Sequence, residues 1–277
     1  MAKRARPFHM RLLIGVALVV LLFTFNLPII NTVLTSLKSD MDISSRPPKW
    51  LFTPVSDHFR NVLFGYGYDF PQFFVNSVII SLGASLLTVA LCLPAAYSIV
   101  RFRTGGGNPL FFVMSLRLVP AIVFLIPLFI VYRYLHLYDT QLGLIFMHTL
   151  TNAPLGMLLF VGFIQDVPRE LEEAAMIDGA SAFTILRSIV FPLIFPGMVA
   201  VTILVFIFSW NEFAFALFLT SLKARTLPTT VTFFLAARGV VWGELAATST
   251  ITTLPIIIFA LLAQKNLVRG LTFGAIK

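Results

Sequence analysis

Cysteine occurs once in the 277 residues, at Cys92, inside an apolar run. A single thiol excludes an intramolecular disulfide framework and a cysteine metal cluster. In that setting it reads as a small buried hydrophobe. Charge is also scarce: 12% of residues are charged and 58% are hydrophobic. A soluble domain is roughly a quarter charged. The chain has no Gly-x-x-x-x-Gly-Lys-Ser/Thr phosphate cradle, no His-Glu-x-x-His and no Gly-x-Ser-x-Gly. It therefore offers no motif for nucleotide hydrolysis, zinc chemistry or acyl transfer, and no catalytic or metal-ligating residue is assigned.

What the chain has in quantity is apolar length. Mean hydropathy is +0.93, and several runs exceed the roughly 20 residues needed to cross a bilayer. The runs are continuous rather than alternating, which argues against a membrane β-barrel. The expected fold is an all-α polytopic membrane protein forming a single domain over residues 1–277. Six transmembrane helices are expected near residues 12–34, 74–100, 110–132, 142–163, 198–219 and 248–267. Helices are the open-ended solution in lipid because each satisfies its own backbone hydrogen bonds. Lys3, Arg4, Arg6 and Arg11 precede the first run, which continues past signal-peptide length with no small-x-small cleavage site. It reads as a retained first helix.

The net charge of +8 sits mostly at the ends of apolar runs, where basic residues meet head groups and set orientation. That placement argues for a lipid bilayer and against nucleic acid as partner. With the N-terminus inside, the inner segments hold eleven Lys and Arg and the outer loops hold eight, with Arg117 inside the third span. The bias is small, but a basic N-terminus before the first span usually dominates. Both termini are expected in the cytoplasm, and the segment near residues 165–192 with them. Residues 35–73 carry Pro47, Pro48, Trp50, Pro54, Gly65 and Gly67, and read as an extracytoplasmic segment of turns and short helices. Gly105, Gly106 and Gly107 read as a tight turn. Pro94 and Gly197 are expected to interrupt spans two and five. Ser81, Gly83, Ala84 and Ser85 give span two a small face for a partner helix.

Glu170, Glu172, Glu173 and Asp178 fall within nine residues of a chain with only twelve acids. Asp166 or Pro168 can start a helix there, which places the glutamates near the positive end of its dipole. Gly179 can end it, because glycine accepts backbone angles other residues resist. A second helix then carries Phe183, Ile185, Leu186 and Ile189 towards Pro192. The result is a helix-turn-helix knuckle whose small residues, flanked by acids, suit a groove on a partner.

The spacing Glu173-Ala174-Ala175, three residues, Gly179, nine residues, Ile189, one residue, Phe191-Pro192 resembles the signature loop of membrane subunits of binding-protein-dependent ABC importers. The sole departure is Phe191, where leucine is usual. Asn76-Ser77, Ala95-Ala96-Tyr97 with Arg101-Phe102, Trp210-Asn211-Glu212-Phe213 and the tail from Leu267 to Lys277 resemble carbohydrate-type permeases, closest to the second, shorter membrane subunit of maltose-type transporters. The resemblance implies a type I ABC importer permease fold in a bacterial cytoplasmic (inner) membrane. It implies a coupling loop in which Glu173, Ala174, Ala175, Asp178 and Gly179 dock on an ATPase subunit. It also implies a C-terminal tail, with Arg269, Gly270 and Lys277, that reaches between two ATPase subunits. The partners it implies are a second homologous permease subunit, two ATPase subunits, an extracytoplasmic solute-binding protein and a sugar. ATP and Mg would be used by the ATPases, with no cofactor bound by this chain.

Ionisable residues in spans are functional candidates. Trp210, Asn211 and Glu212 are the candidates for the translocation path, against a reading of Glu212 as a carboxylate bonding neighbouring polar groups. Arg117 is read as reaching for an interface, and His148 as a helix-packing residue. The competing functions are an ABC permease for a non-sugar solute and an ion-coupled secondary transporter, for which Glu212 alone would have to serve as the ion site.

Overall fold

The structure, a computed structural model, describes residues 8–272 apart from 66, 68, 107, 237 and 238. The helices are α1 (Phe8–Ser36), α2 (Asp40–Ile43), α3 (Asp57–Arg60), α4 (Phe70–Phe102), α5 (Pro109–Ser115), α6 (Ala121–Tyr134), α7 (Gln141–Gln165), α8 (Arg169–Ile177), α9 (Ala182–Ile185), α10 (Phe191–Trp210), α11 (Ala214–Leu219) and α12 (Trp242–Thr272). Among the described residues, five helices are long and apolar enough to cross a membrane, or up to six if one bent pair counts as a span. The expected all-α polytopic architecture is therefore present.

Two compact units divide the chain: Met1–Tyr68 with Val231–Ile251, and Asp69–Thr230 with Thr252–Lys277. In the first unit, the most apolar window of α1 is 0% buried. A helix apolar on every side is suited to lipid. The segment after it folds into short helices and turns, as expected. Lys38 is buried and sets its ammonium over the rings of Trp50 and Phe52. The buried His58 places Nε2 2.8 Å from the Lys38 carbonyl and Nδ1 3.3 Å from Glu244 Oε2. Leu235–Ala236 and Gly239–Val240 pair as a small antiparallel hairpin, Leu235 opposite Val240.

In the second unit, α4, α7 and α10 build the core. The small face of α4 is the reason they approach. Ser81, Ala84 and Ser85 are fully buried, and a Cβ on Gly83 would lie 2.7 Å from Ile145 of α7. Small side chains let helix backbones come close in lipid. Pro94 does not interrupt α4, contrary to expectation, and Gly197 does not interrupt α10. Prolines are tolerated in such helices where neighbours re-satisfy the freed backbone groups.

Two spans differ from expectation. The third is bent by 94° between Pro109–Leu118 and Ala121–Tyr134. Pro120 holds the preceding Val119 at φ −82°, ψ 124°, since the residue before proline is pushed out of helical angles. Arg117 sits at this bend, its guanidinium 5.9 Å from the Phe208 ring. The fifth runs Ala182–Trp210 rather than to residue 219. It passes through a wider, π-type turn at Leu186–Val190 and stops at Asn211. Residues 214–219 form a separate helix, because Glu212 accepts the backbone N–H groups of Phe215 and Ala216, each at 2.9 Å. Glu212 therefore lies at a break between helices, not inside a span.

Candidate docking knuckle and polar cluster

Residues 169–190 form the expected knuckle. Pro168 stands immediately before α8, with Glu170 and Glu172 in the first turn. The helix ends in a Schellman turn. The Ala180 N–H donates to the Ala175 carbonyl at 2.9 Å, and the Gly179 N–H to the Met176 carbonyl at 3.0 Å. Such a turn needs a left-handed residue, and Gly179 supplies φ +85°. Ser181 then caps α9, accepting the Thr184 N–H at 3.2 Å.

The acidic island is not one surface. Glu172 is 2% exposed and is held by two residues. Arg101 Nε donates to its Oε1 at 2.8 Å, Arg101 Nη2 lies 2.6 Å from the same oxygen, and the Tyr97 hydroxyl donates to Oε2 at 2.9 Å. Arg101 Nη2 also donates to the carbonyls of Ile164 and Val167, each at 2.9 Å. One guanidinium thus joins the ends of α4 and α7 to the start of α8. Ala175, Ala180, Leu186 and Ile189 are half-buried against the core that contains Tyr97, Ile164 and Val167. The knuckle is fixed to the helical core by a buried ion pair and an apolar seam.

Its other side is open. Glu173, Ala174, Asp178 and Gly179 are exposed. Met176, 47% exposed, and Ile177, 87%, stand on the same short helix. α8 is too short to cross a bilayer, so these two apolar side chains are exposed on a segment outside the spans. Of the expected docking residues, Glu173, Ala174, Asp178 and Gly179 share this outer side, whereas Ala175 packs inward. Sequence reasoning missed the tie of Arg101 and Tyr97 to Glu172. The available signal was the four-residue spacing of Tyr97 and Arg101, which places them on one helical face.

The second cluster surrounds the break after α10. Trp210 is 1% exposed. Its indole N–H donates to the Thr252 carbonyl at 3.2 Å, and its ring meets Phe74 edge-on and Phe206 stacked. Asn211 donates back to the Ile207 carbonyl at 2.8 Å. His148 is fully buried, with Nδ1 2.7 Å from Ser209 Oγ and Nε2 3.3 Å from Glu212 Oε2. These groups bind one another and the backbone, and so hold the broken helix in one conformation. Asn76 and Ser77 brace the loop beyond it. Asn76 Nδ2 donates to the carbonyls of Lys223 and Arg225 at 2.8 and 2.9 Å, and Ser77 Oγ accepts the Leu227 N–H at 2.7 Å.

Asp139 is a further anchor that sequence reading did not single out. It adopts φ +57°, which Asp tolerates better than most residues. Its N–H donates to the Leu219 carbonyl at 2.9 Å. Its carboxylate accepts the N–H groups of Ser221, Leu222, Lys223 and Ala224. Of the expected tail residues, Arg269 and Gly270 fall in the last turns of α12, and Lys277 lies outside the described residues.

Residues 89–273 match the family model described as the inner membrane component of binding-protein-dependent transport systems. A probable ABC transporter permease protein, y4oR, of Sinorhizobium fredii is 33% identical over 93% of this chain and 92% of its own length. The trehalose/maltose transport system permease protein MalG of Thermococcus litoralis is 35% identical, covering 96% of each chain. The trehalose transport system permease protein SugB of Mycobacterium tuberculosis is 34% identical over 96% of this chain and 94% of its own. A chain from the crystal structure of a bacterial ABC transporter involved in the import of alginate superposes with a TM-score of 0.74 at 20% identity, covering 96% of this chain and 99% of that one.

Proposed function

We propose that this chain, which belongs to the family of binding-protein-dependent transport system inner membrane components, forms half of the translocation pathway of an ATP-driven sugar importer. The family is a non-catalytic transport component of the inner membrane, and its several apolar helices make the chain a multi-pass protein. The other half would be a second, homologous permease subunit. Two ATPase subunits would use ATP and Mg, and an extracytoplasmic binding protein would deliver the solute. The sugar assignment rests on the names of relatives that carry trehalose or maltose.

The observation that carries the coupling role is the construction of the knuckle. Its outer side offers Met176 and Ile177 to a partner, while its inner side is fixed to α4 and α7 through Arg101 and Glu172. A displacement imposed on such a mount is passed to the core helices as rigid-body motion, because packed interfaces shift between discrete arrangements rather than deform continuously. ATP-driven closure of the ATPases would then bring two knuckles together and change the side to which the pathway opens. Both termini and the knuckle would lie in the cytoplasm. Arg269, Gly270 and Lys277 would extend the ATPase contact.

Cysteine placed at Ile177 tests this reading, since Cys92 is buried. In the assembled complex, Ile177→Cys should crosslink to the ATPase subunit. ATP-dependent uptake in vesicles, with binding protein and a panel of oligosaccharides, should identify the cargo. Labelling of Cys at position 177 by an impermeant reagent on intact cells would overturn the topology.

A further inference from the structure

A cavity of about 450 Å³ opens beside the knuckle, where α4 and α7 end. Its lining includes three arginines, Arg101, Arg103 and Arg169, and no Asp or Glu. Two of these cations have work elsewhere. Arg101 neutralises Glu172 and caps the carbonyls of Ile164 and Val167. Arg169 Nη2 reaches the Val100 carbonyl at 3.3 Å, which offsets the negative end of α4 without neutralising its own charge.

Arg103 is different. It ends α4 in the left-handed region at φ +51°, and its backbone N–H donates to the Ser98 carbonyl. Among the described residues, neither Arg103 nor Arg169 has a carboxylate within ion-pair distance. The exposed rim of the cavity therefore carries two positive charges without a carboxylate partner. Its remaining wall is mixed: Gln165, Thr104 and Asn108 are polar, whereas the half-buried Ile99 and Leu110 are apolar. The opening lies level with Phe102 and Gln165, the last residues of two long apolar helices. That is the depth at which a chain in a bilayer meets phospholipid head groups.

We infer that this cavity is a binding site for a phosphate-bearing anion, supplied by the head group of an anionic phospholipid. Arg103 and Arg169 hold the phosphate, and Ile99 and Leu110 receive the start of an acyl chain. Basic pockets between membrane helices are suited to such head groups, and planar guanidinium forks match phosphate oxygens. A soluble phosphate ester shares the charge but leaves the apolar wall unfilled.

The test uses the full-length chain purified with the subunits that accompany it, in nanodiscs of phosphatidylcholine containing a minor share of phosphatidylglycerol. Bound lipid is counted by native mass spectrometry. Each arginine is expected to contribute about fivefold to retention, so the double variant Arg103→Gln, Arg169→Gln should retain about 25-fold less phosphatidylglycerol. Arg103→Lys keeps the charge and should retain most of it. Lys223→Gln, a cation far along the chain, should leave retention unchanged. Equal retention by the parent and the double variant overturns the site, as does an equal loss with Lys223→Gln. A second arm titrates inorganic phosphate and glycerol phosphate onto the detergent-solubilised protein. Millimolar phosphate displacing the bound lipid, or binding with no preference for lipid, overturns the lipid assignment.

Discussion

Arg101 and Glu172 lie 71 residues apart in sequence and meet with side chains only 7% and 3% exposed, two guanidinium nitrogens on one carboxylate oxygen. In that setting a lone charge is poorly solvated. Replacing Glu172 with Ala should cost roughly 3–5 kcal/mol, because Arg101 is left buried without its counter-charge. The loss should be local. Hydrogen exchange should rise across residues 169–190 in Glu172→Ala. The double variant Arg101→Met, Glu172→Leu should recover much of the protection, since it leaves no buried charge unpaired.

Gly179 offers a different kind of break. A Cβ there meets nothing within 4 Å, so the obstacle to a side chain is the backbone angle of +85° alone. Gly179→Ala should cost about 1–2 kcal/mol in the knuckle, and Gly179→Val more, while Gly179→Asn should be better tolerated. Co-purification of the ATPase is expected to fall in the order Asn, Ala, Val, with membrane insertion intact. Normal recovery of the ATPase with Gly179→Val would remove the knuckle from the contact.

Asp139 should make the turn between α6 and α7 sensitive to acid. Burial alone would raise its carboxyl, but the N–H groups of Ser221, Ala224, Lys223 and Leu222 together hold it below the ordinary value. The folded pKa is thus depressed. Its contribution is fully present above the unfolded value of about 3.9 and is lost as pH falls through the folded value. Unfolding followed between neutral and acid pH should show this loss in the parent and a flatter dependence in Asp139→Asn.

The indole of Trp210 is enclosed by its own chain. Trp210→Phe keeps most of the ring and removes the N–H donor to Thr252. The variant should be less stable by about 1 kcal/mol. Its half-saturating solute concentration for uptake should match that of the parent. A large rise in that concentration at unchanged stability would place Trp210 on the solute path.

The apolar runs and the small face of α4 were legible because lipid imposes length and close packing imposes size. The knuckle was legible because a proline, an acidic first turn and a glycine mark a short helix whatever surrounds it. Other features required the folded chain. Pro94, Pro120 and Pro196 look alike in sequence, yet α4 and α10 pass through the first and last while the chain bends by 94° beside Pro120. The run through residue 219 is apolar on both sides of Glu212, so hydropathy joined what a carboxylate capturing two amides separates. Glu172 and Glu173 are neighbours of one residue type. Burial on one side of α8 and exposure on the other give them opposite surroundings.

Helix α1 keeps its most apolar window wholly outside the packed interior. Among the described residues none buries that stretch, so its requirements are thickness and greasiness rather than shape. Exchanges among Leu, Val, Ile and Phe there should leave the chain's own melting behaviour nearly untouched. The same exchanges along the inner faces of α4 or α7 would open holes that nothing nearby can fill.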